Sequence, residues 1–287
     1  STPIKSSAAS DVYKRQDKQG TSTWADRSVE LPQANANKRG TVQTVSYTGA
    51  DGTEHGLAVY LPAGYDADRT EPYKVLYLSH GNSGDTYGNE LRWMNEGTVA
   101  NILDNLIAEC KTEPFIVVTM NNQQYKWKYS EIETDQINYI MPYVESHYNV
   151  STTAEGRAYA GLSIKMCCSA IAMRKAEGRA YAGLSMGGAT TSNMLMHHTE
   201  LFSYYGIWSY ANVNGAVGGA EGITSQSVRN HLSSLTVKPK VMLAAGNWDF
   251  GLAPVKTFGE NLSELGLDYS YLQVPAAHAW ECWQLIF

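Results

Sequence analysis

The 287-residue chain is 43% hydrophobic and 17% charged, so it can bury enough apolar surface to offset chain entropy, and global disorder is excluded. Its 22 basic and 28 acidic residues give a formal charge of −6 with no Lys/Arg-rich block, which argues against a duplex nucleic-acid reader or a polybasic membrane binder. No apolar run approaches the roughly 18–20 residues of a membrane span. Cys110, Cys167, Cys168 and Cys282 make no CxxC spacing of the kind that holds zinc or exchanges disulfides.

Residues 1–38 are polar, follow no sustained period and lack the charged-then-apolar pattern of a secretion signal. Asp11–Gln16 resembles translated adapter sequence, and 1–38 is read as a disordered tail or cloning scar, leaving 39–287 as one domain. From residue 41 onward, strand-like and helix-like runs alternate. Thr41–Thr48 and His55–Leu61 are rich in Val, Thr and Tyr and flank Gly49-Ala50-Asp51-Gly52, whose Asp-Gly pair signals a hairpin. Lys74–Ser79 and Phe115–Met120 are short apolar runs of the kind that fill a buried strand. Glu96–Cys110 spaces Val99, Ile102, Leu103 and Leu106 helically, and Glu131–Tyr148 places Ile132, Ile140, Met141 and Val144 largely on one face. Further strands fit Arg179–Leu184, Tyr204–Trp208, Lys240–Ala245 and Tyr269–Val274; helices fit Gly188–His198 and Ala253–Leu265. Apolar strands separated by helices predict an α/β architecture with a mostly parallel central sheet and helices on both faces.

An internal repeat interrupts this order. Ala154–Ser163 and Ala176–Ser185 both read AEGRAYAGLS, within a duplicated region spanning 154–185. Solenoids need at least about three repeats, so two copies indicate a local duplication. Removing 164–185 would leave an uninterrupted strand–turn–helix sequence.

The second copy ends in Gly183-Leu184-Ser185-Met186-Gly187, a G-x-S-x-G between a predicted strand and a predicted helix. That context is the one a nucleophile elbow requires: a serine on a tight turn, with small residues two before and two after it. The first copy offers Ser163 as a rival, but Lys165 stands where the elbow needs glycine. The elbow resembles that of the α/β-hydrolases, in which acid and then histidine follow the serine along the chain. His278, after the strand at 269–274, is the candidate base, whereas His231 lies in the polar stretch Ser227–Ser234 with no strand before it. Asp249, after the strand at 240–245, is the candidate acid; Asp268 and Glu264 compete with it. An oxyanion hole needs two backbone N–H donors. Met186 follows the nucleophile, and Asn82 is the donor expected from His80-Gly81-Asn82-Ser83-Gly84.

Leu78-Ser79-His80-Gly81, Asn101–Ile107, Tyr181–Gly188 and His278-Ala279-Trp280-Glu281-Cys282-Trp283 together resemble bacterial feruloyl esterases of carbohydrate esterase family 1, a putative-esterase branch of the α/β-hydrolases. The resemblance runs from about Thr41 to Phe287. It implies a secreted serine esterase that releases hydroxycinnamates, mainly ferulate, from feruloylated arabinoxylan or small hydroxycinnamate esters. It implies no cofactor or metal, no nucleic acid and no membrane partner. Trp93, Tyr125, Trp248, Trp280 and Trp283 offer flat apolar area for a phenolic ring or a sugar, and Trp280, two residues from His278, is the leading substrate-binding candidate. An acetylxylan or other carbohydrate acyl esterase, and a catalytically inactive carbohydrate-binding relative, stand as alternatives.

Overall fold

The computed structural model describes residues 27–153 and 178–287. Among them eight strands form one sheet: β1 (Thr41–Thr48), β2 (Glu54–Leu61), β3 (Val75–Ser79), β4 (Ile116–Met120), β5 (Arg179–Leu184), β6 (Tyr204–Trp208), β7 (Lys240–Trp248) and β8 (Tyr269–Ala277). Their order across the sheet is β1-β2-β4-β3-β5-β6-β7-β8. The β1–β2 and β2–β4 pairs are antiparallel and all later neighbours are parallel.

Every residue of β3, β4, β5 and β6 is buried, as expected of parallel strands covered on both faces. The two-residue period of a strand sorts them into two cores. Tyr77, Val118, Tyr181 and Ile207 face one, and Leu76, Leu78, Ala180 and Ala182 face the other. The helices are α1 (Arg92–Asn95), α2 (Val99–Ala108), α3 (Tyr129–Asp135), α4 (Met141–His147), α5 (Met186–His197), α6 (Gln226–Ser233), α7 (Leu252–Glu264) and α8 (Trp280–Ile286). Apolar residues of α3 through α7 join the first core; those of α1, α2 and α8 join the second.

Several elements differ from the sequence reading. The single helix expected over Glu131–Tyr148 is α3 and α4 joined by a π turn, Gln136–Ile140. Pro142 has no N–H to return to a carbonyl four residues back, and the wider turn accommodates the gap. The polar stretch at 227–234 is largely helix α6, where Val228 and Leu232 are buried four residues apart. Strands β7 and β8 run beyond Ala245 and Val274, pairing as far as Trp248↔Ala277 across a register shift near Gly246. Glycine permits that extension, because a Cβ at 246 would fall 2.1 Å from the Ala276 oxygen.

Residues 1–26 lie outside the described residues. The rest of the expected tail is structured: 27–38 form two short 3-10 turns, Ser28–Glu30 and Ala36–Lys38. Asn105 Nδ2 donates to the Val29 and Leu31 carbonyls at 2.9 and 2.8 Å, and Asn101 Nδ2 to that of Glu30 at 2.9 Å. These bonds strap the segment along α2, so the tail reading does not hold from residue 27.

The strand beneath the elbow comes from the second copy of the repeat. β5 pairs Val75↔Arg179 through Ser79↔Gly183 with β3, and Ala180↔Tyr204 through Leu184↔Trp208 with β6. The first copy with its Ser163, and Lys165 just beyond it, lie outside the described residues, as do Cys167 and Cys168.

Candidate active site

Ser185 sits where β5 turns into α5, with φ 54° and ψ −119°. A non-glycine residue in this sparsely populated region costs about 1–3 kcal/mol, which the surrounding structure must offset. A Cβ on Gly183 would lie 2.5 Å from the Gly187 carbonyl carbon, and one on Gly187 would lie 2.5 Å from the His80 oxygen. The two glycines of the motif are therefore required by backbone crossing backbone. The Ser185 N–H donates to Trp208 O at 2.9 Å, and Ala189 N–H returns to Ser185 O at 3.0 Å as the helix begins.

The carboxyl ends of β7 and β8 bring two more side chains to the same place. His278 Nδ1 lies 2.8 Å from Asp249 Oδ1, and His278 Nε2 lies 2.8 Å from Ser185 Oγ. With Asp249 accepting from Nδ1–H, Nε2 carries the lone pair and accepts the serine hydroxyl. The Asp249 side chain is fully buried. Burial works to raise its pKa, but the hydrogen bonds from His278 and the Gly251 N–H, with the nearby Ser209 hydroxyl adding to them, outweigh that and hold the carboxyl below its usual range. The alternatives weighed from sequence go elsewhere. His231 lies on α6 beside Thr199, Glu264 pairs with Arg229 at 3.0 Å, and Asp268 precedes β8.

The loop after β3 passes directly over Ser185. A Cβ on Gly81 would come 3.1 Å from the Ser185 Cβ, which puts the next residue, Asn82, beside the serine. Gln123 holds this loop from both sides: its amide donates to Ser83 O at 2.9 Å and accepts from Ser83 N–H at 3.2 Å. The Trp127 indole N–H reaches Gln123 Oε1 at 3.0 Å and Asn82 Oδ1 at 3.3 Å. Met186 is the first residue of α5, so its N–H belongs to the helix's unbonded amides and adds the field of the helix N-terminus. His80, buried behind the loop, is pushed by that burial down to about 4 and stays uncharged at neutral pH.

The aromatic surroundings differ from expectation. Trp280 packs edge-on against Trp93 and Trp283, each with ring centroids 5.2 Å away, and the Arg92 guanidinium lies 5.4 Å from its centroid. An open cavity of about 460 Å³ beside Asn82 is lined by Tyr87, Asn89, Arg92 and Glu96 among others, and Trp280 is not part of that lining. Trp280 is thus largely occupied in bracing α8 against α1. The rings next to the base are Phe250, 4.0 Å from His278 and tilted 32°, and Trp283, edge-on at 5.1 Å. Phe250 and Trp248 are 67% and 73% exposed, so the rim of the site carries free aromatic surface. Sequence reading passed over Phe250 and Ser209; the one available signal for Phe250 was its position directly after Asp249. Among the described residues no cluster of His, Cys, Asp and Glu is arranged to hold a metal.

This arrangement can activate a hydroxyl for attack on an acyl group: a base in contact with the nucleophile, an acid fixing the base's tautomer, and amides nearby for the oxyanion. Comparisons with known proteins point the same way. Residues 48–287 match the model of the family described as putative esterase. An endo-1,4-beta-xylanase/feruloyl esterase of Xylanibacter ruminicola is 29% identical over 211 residues, 66% of this chain. That match spans only 25% of the relative's own length. Among solved structures, a mutant of the feruloyl esterase module from Clostridium thermocellum, complexed with sinapinate, is similar with TM-score 0.65 and 25% identity, covering 91% of this chain and 89% of that one. A ferulic acid esterase from Anaeromyces mucronatus shares the fold, with TM-score 0.70, 22% identity and coverage of 91% and 92%.

Proposed function

The chain belongs to the putative esterase family, and from that premise we propose that it is a serine esterase that hydrolyses hydroxycinnamoyl esters, feruloyl esters foremost. The observation that carries this reading is the unbroken hydrogen-bonded run Ser185–His278–Asp249 at 2.8 and 2.8 Å, formed from three strand ends. His278 takes the Ser185 proton as Oγ attacks the ester carbonyl, and the Met186 and Asn82 amides stabilise the tetrahedral oxyanion. The alcohol leaves with the proton from His278, and water then attacks the acyl-enzyme with His278 again as base.

The hydroxycinnamoyl specificity is supported by the relative whose name joins xylanase and feruloyl esterase, and by the similar module solved with sinapinate. Exposed Trp248 and Phe250 supply flat apolar area beside the triad for a phenolic ring. In this reading the natural substrate is feruloylated arabinoxylan, met outside the cell.

Hydrolysis of methyl ferulate, feruloylated arabinoxylan oligosaccharides and 4-nitrophenyl acetate by the parent and Ser185→Ala proteins tests the proposal. Ferulate release by the parent and its loss in Ser185→Ala is the expected result. Acetate release alone would move the substrate to the acetyl esters of xylan. A folded parent that cleaves none of the three would sink the esterase reading.

A further inference from the structure

The Asp249 carboxylate is held unevenly. Its Oδ1 accepts from both His278 Nδ1 at 2.8 Å and the Gly251 N–H at 2.7 Å, whereas Oδ2 is buried and has no hydrogen-bond partner among the described residues. A buried carboxylate oxygen left empty is costly, so a donor is expected within reach. Ser209, the first residue after β6, is the candidate for that donor. Its side chain is fully buried and its hydroxyl oxygen accepts the Trp283 indole N–H at 2.9 Å. With a lone pair taken by Trp283, the hydroxyl proton is left to turn toward another acceptor.

Three further features fix Ser209 in place. Its backbone is left-handed, with φ 58°. Its N–H donates to Ala244 O at 2.8 Å, tying it to β7 just ahead of Asp249. Its carbonyl fills the space beside Gly251, where a Cβ would fall 1.6 Å from the Ser209 oxygen. The acid's own loop is thus shaped around Ser209. Trp283 in turn presses edge-on against the His278 ring.

We infer that Ser209 is a positioning residue for the triad: Trp283 orients its hydroxyl, which donates to Asp249 Oδ2 and clamps the carboxylate on both oxygens as His278 takes up its proton. Such bonds are often long in a resting site and tighten as charge develops. The Ser209 hydroxyl lies close enough to Asp249 to favour its charged form. The other titratable groups on that carboxylate are His278 and Cys282. The Cys282 thiol is pushed by burial up to about 12, with Asp249 and Glu281 adding to the shift, and stays uncharged. The inference rests on the triad reading proposed above.

The test uses the full chain with Ser209→Ala, Ser209→Gly and Trp283→Phe. Glycine removes the hydroxyl while relaxing the left-handed backbone, so one hydroxyl-free variant folds even if alanine is poorly tolerated. Turnover of 4-nitrophenyl acetate and methyl ferulate is read beside the low-field proton resonance of His278 Nδ1–H. Loss of the hydroxyl is expected to lower kcat about 10- to 100-fold, the effect of removing a hydrogen bond to a buried charge. KM should stay within about twofold, since ground-state binding is untouched. The low-field resonance should shift or broaden in both Ser209 variants, and less so in Trp283→Phe. Parent-like kcat with an unchanged resonance in the Ser209 variants would overturn the inference. A parent that cleaves no ester, with a resonance that still depends on Ser209, would sink the esterase reading and leave the clamp standing.

Discussion

Two histidine–aspartate pairs in this molecule share one contact distance and do different things. His278 Nδ1 meets Asp249 Oδ1 at 2.8 Å, and His55 Nε2 meets Asp51 Oδ1 at 2.8 Å. The first pair joins residues 29 apart in sequence, carried together by neighbouring parallel strands, and its acid is fully buried. The second is local, four residues apart across the β1–β2 turn, and its acid is 42% exposed. The free nitrogen of His278 faces the Ser185 hydroxyl; that of His55 is bonded to the Gln124 side chain, and the His55 ring stacks on Tyr125 at 5.1 Å. A His–Asp contact is therefore not itself a sign of chemistry. What decides is whether the acid is sealed from water and whether the imidazole's second nitrogen meets a nucleophile or a spectator.

This contrast breaks most sharply at the serine. In Ser185→Ala, ester turnover should fall on the order of 10⁶-fold, the scale seen when a serine hydrolase loses its nucleophile, with circular dichroism unchanged. Asp249→Asn should cost on the order of 10⁴-fold, because an amide can no longer select the imidazole tautomer. Near-normal kcat in that variant would reassign the acid. Asp51→Asn should leave ester turnover within about twofold of the parent and lower Tm by about 1–3 °C, since a half-exposed pair contributes little.

The pH dependence of that last difference sharpens the comparison. Burial is the largest single influence on Asp51 and pulls upward, but hydrogen bonds from His55 and from the Thr53 N–H and hydroxyl together outweigh it and hold the carboxyl at about 2, against an ordinary value of 3.8. A carboxyl depressed in the folded state adds stability that is fully present above its unfolded value and vanishes as pH falls through its folded one. The Tm gap between parent and Asp51→Asn should therefore be constant above about pH 4 and close between 3.8 and about 2. A gap that widens on acidification would show that His55 and Asp51 are not coupled.

The meeting of Ser185, His278 and Asp249 was readable because each follows a strand whose apolar run marks it, and parallel strands deliver their carboxyl ends to one edge. Gly183 is required by a limit inside the motif and Gly187 by the distant His80 backbone, yet both glycines stand in one five-residue stretch that the sequence displays. The supports were not readable. Ser209, Phe250, Gln123 and Trp127 act through contacts between distant segments, and no periodicity records them. Trp280, near the base in sequence, packs against Trp93, Trp283 and Arg92, contacts that its sequence position does not disclose. The β7 and β8 extensions were missed because Gly246 and Pro275 read as turn signals, whereas the glycine is what lets two strands approach closely. Residues 27–38 were hidden because Asn101 and Asn105 hold that strap through its carbonyls, which every residue has.

The described chain leaves off at Thr153 and resumes at Gly178, and these two residues touch: a Cβ on Gly178 would lie 1.9 Å from the Thr153 oxygen. Arg179 also hydrogen-bonds Thr152 O, so departure and return are pinned to one point at the amino end of β5. Ser185, Asp249 and His278 all sit at the opposite, carboxyl end of the sheet. Excising 154–175, which yields the same chain as excising 164–185, should therefore give a folded protein with parent-like ester turnover. The close Thr153–Gly178 junction thus marks a graft port at the back of the sheet, where a change of chain length leaves the far end untouched.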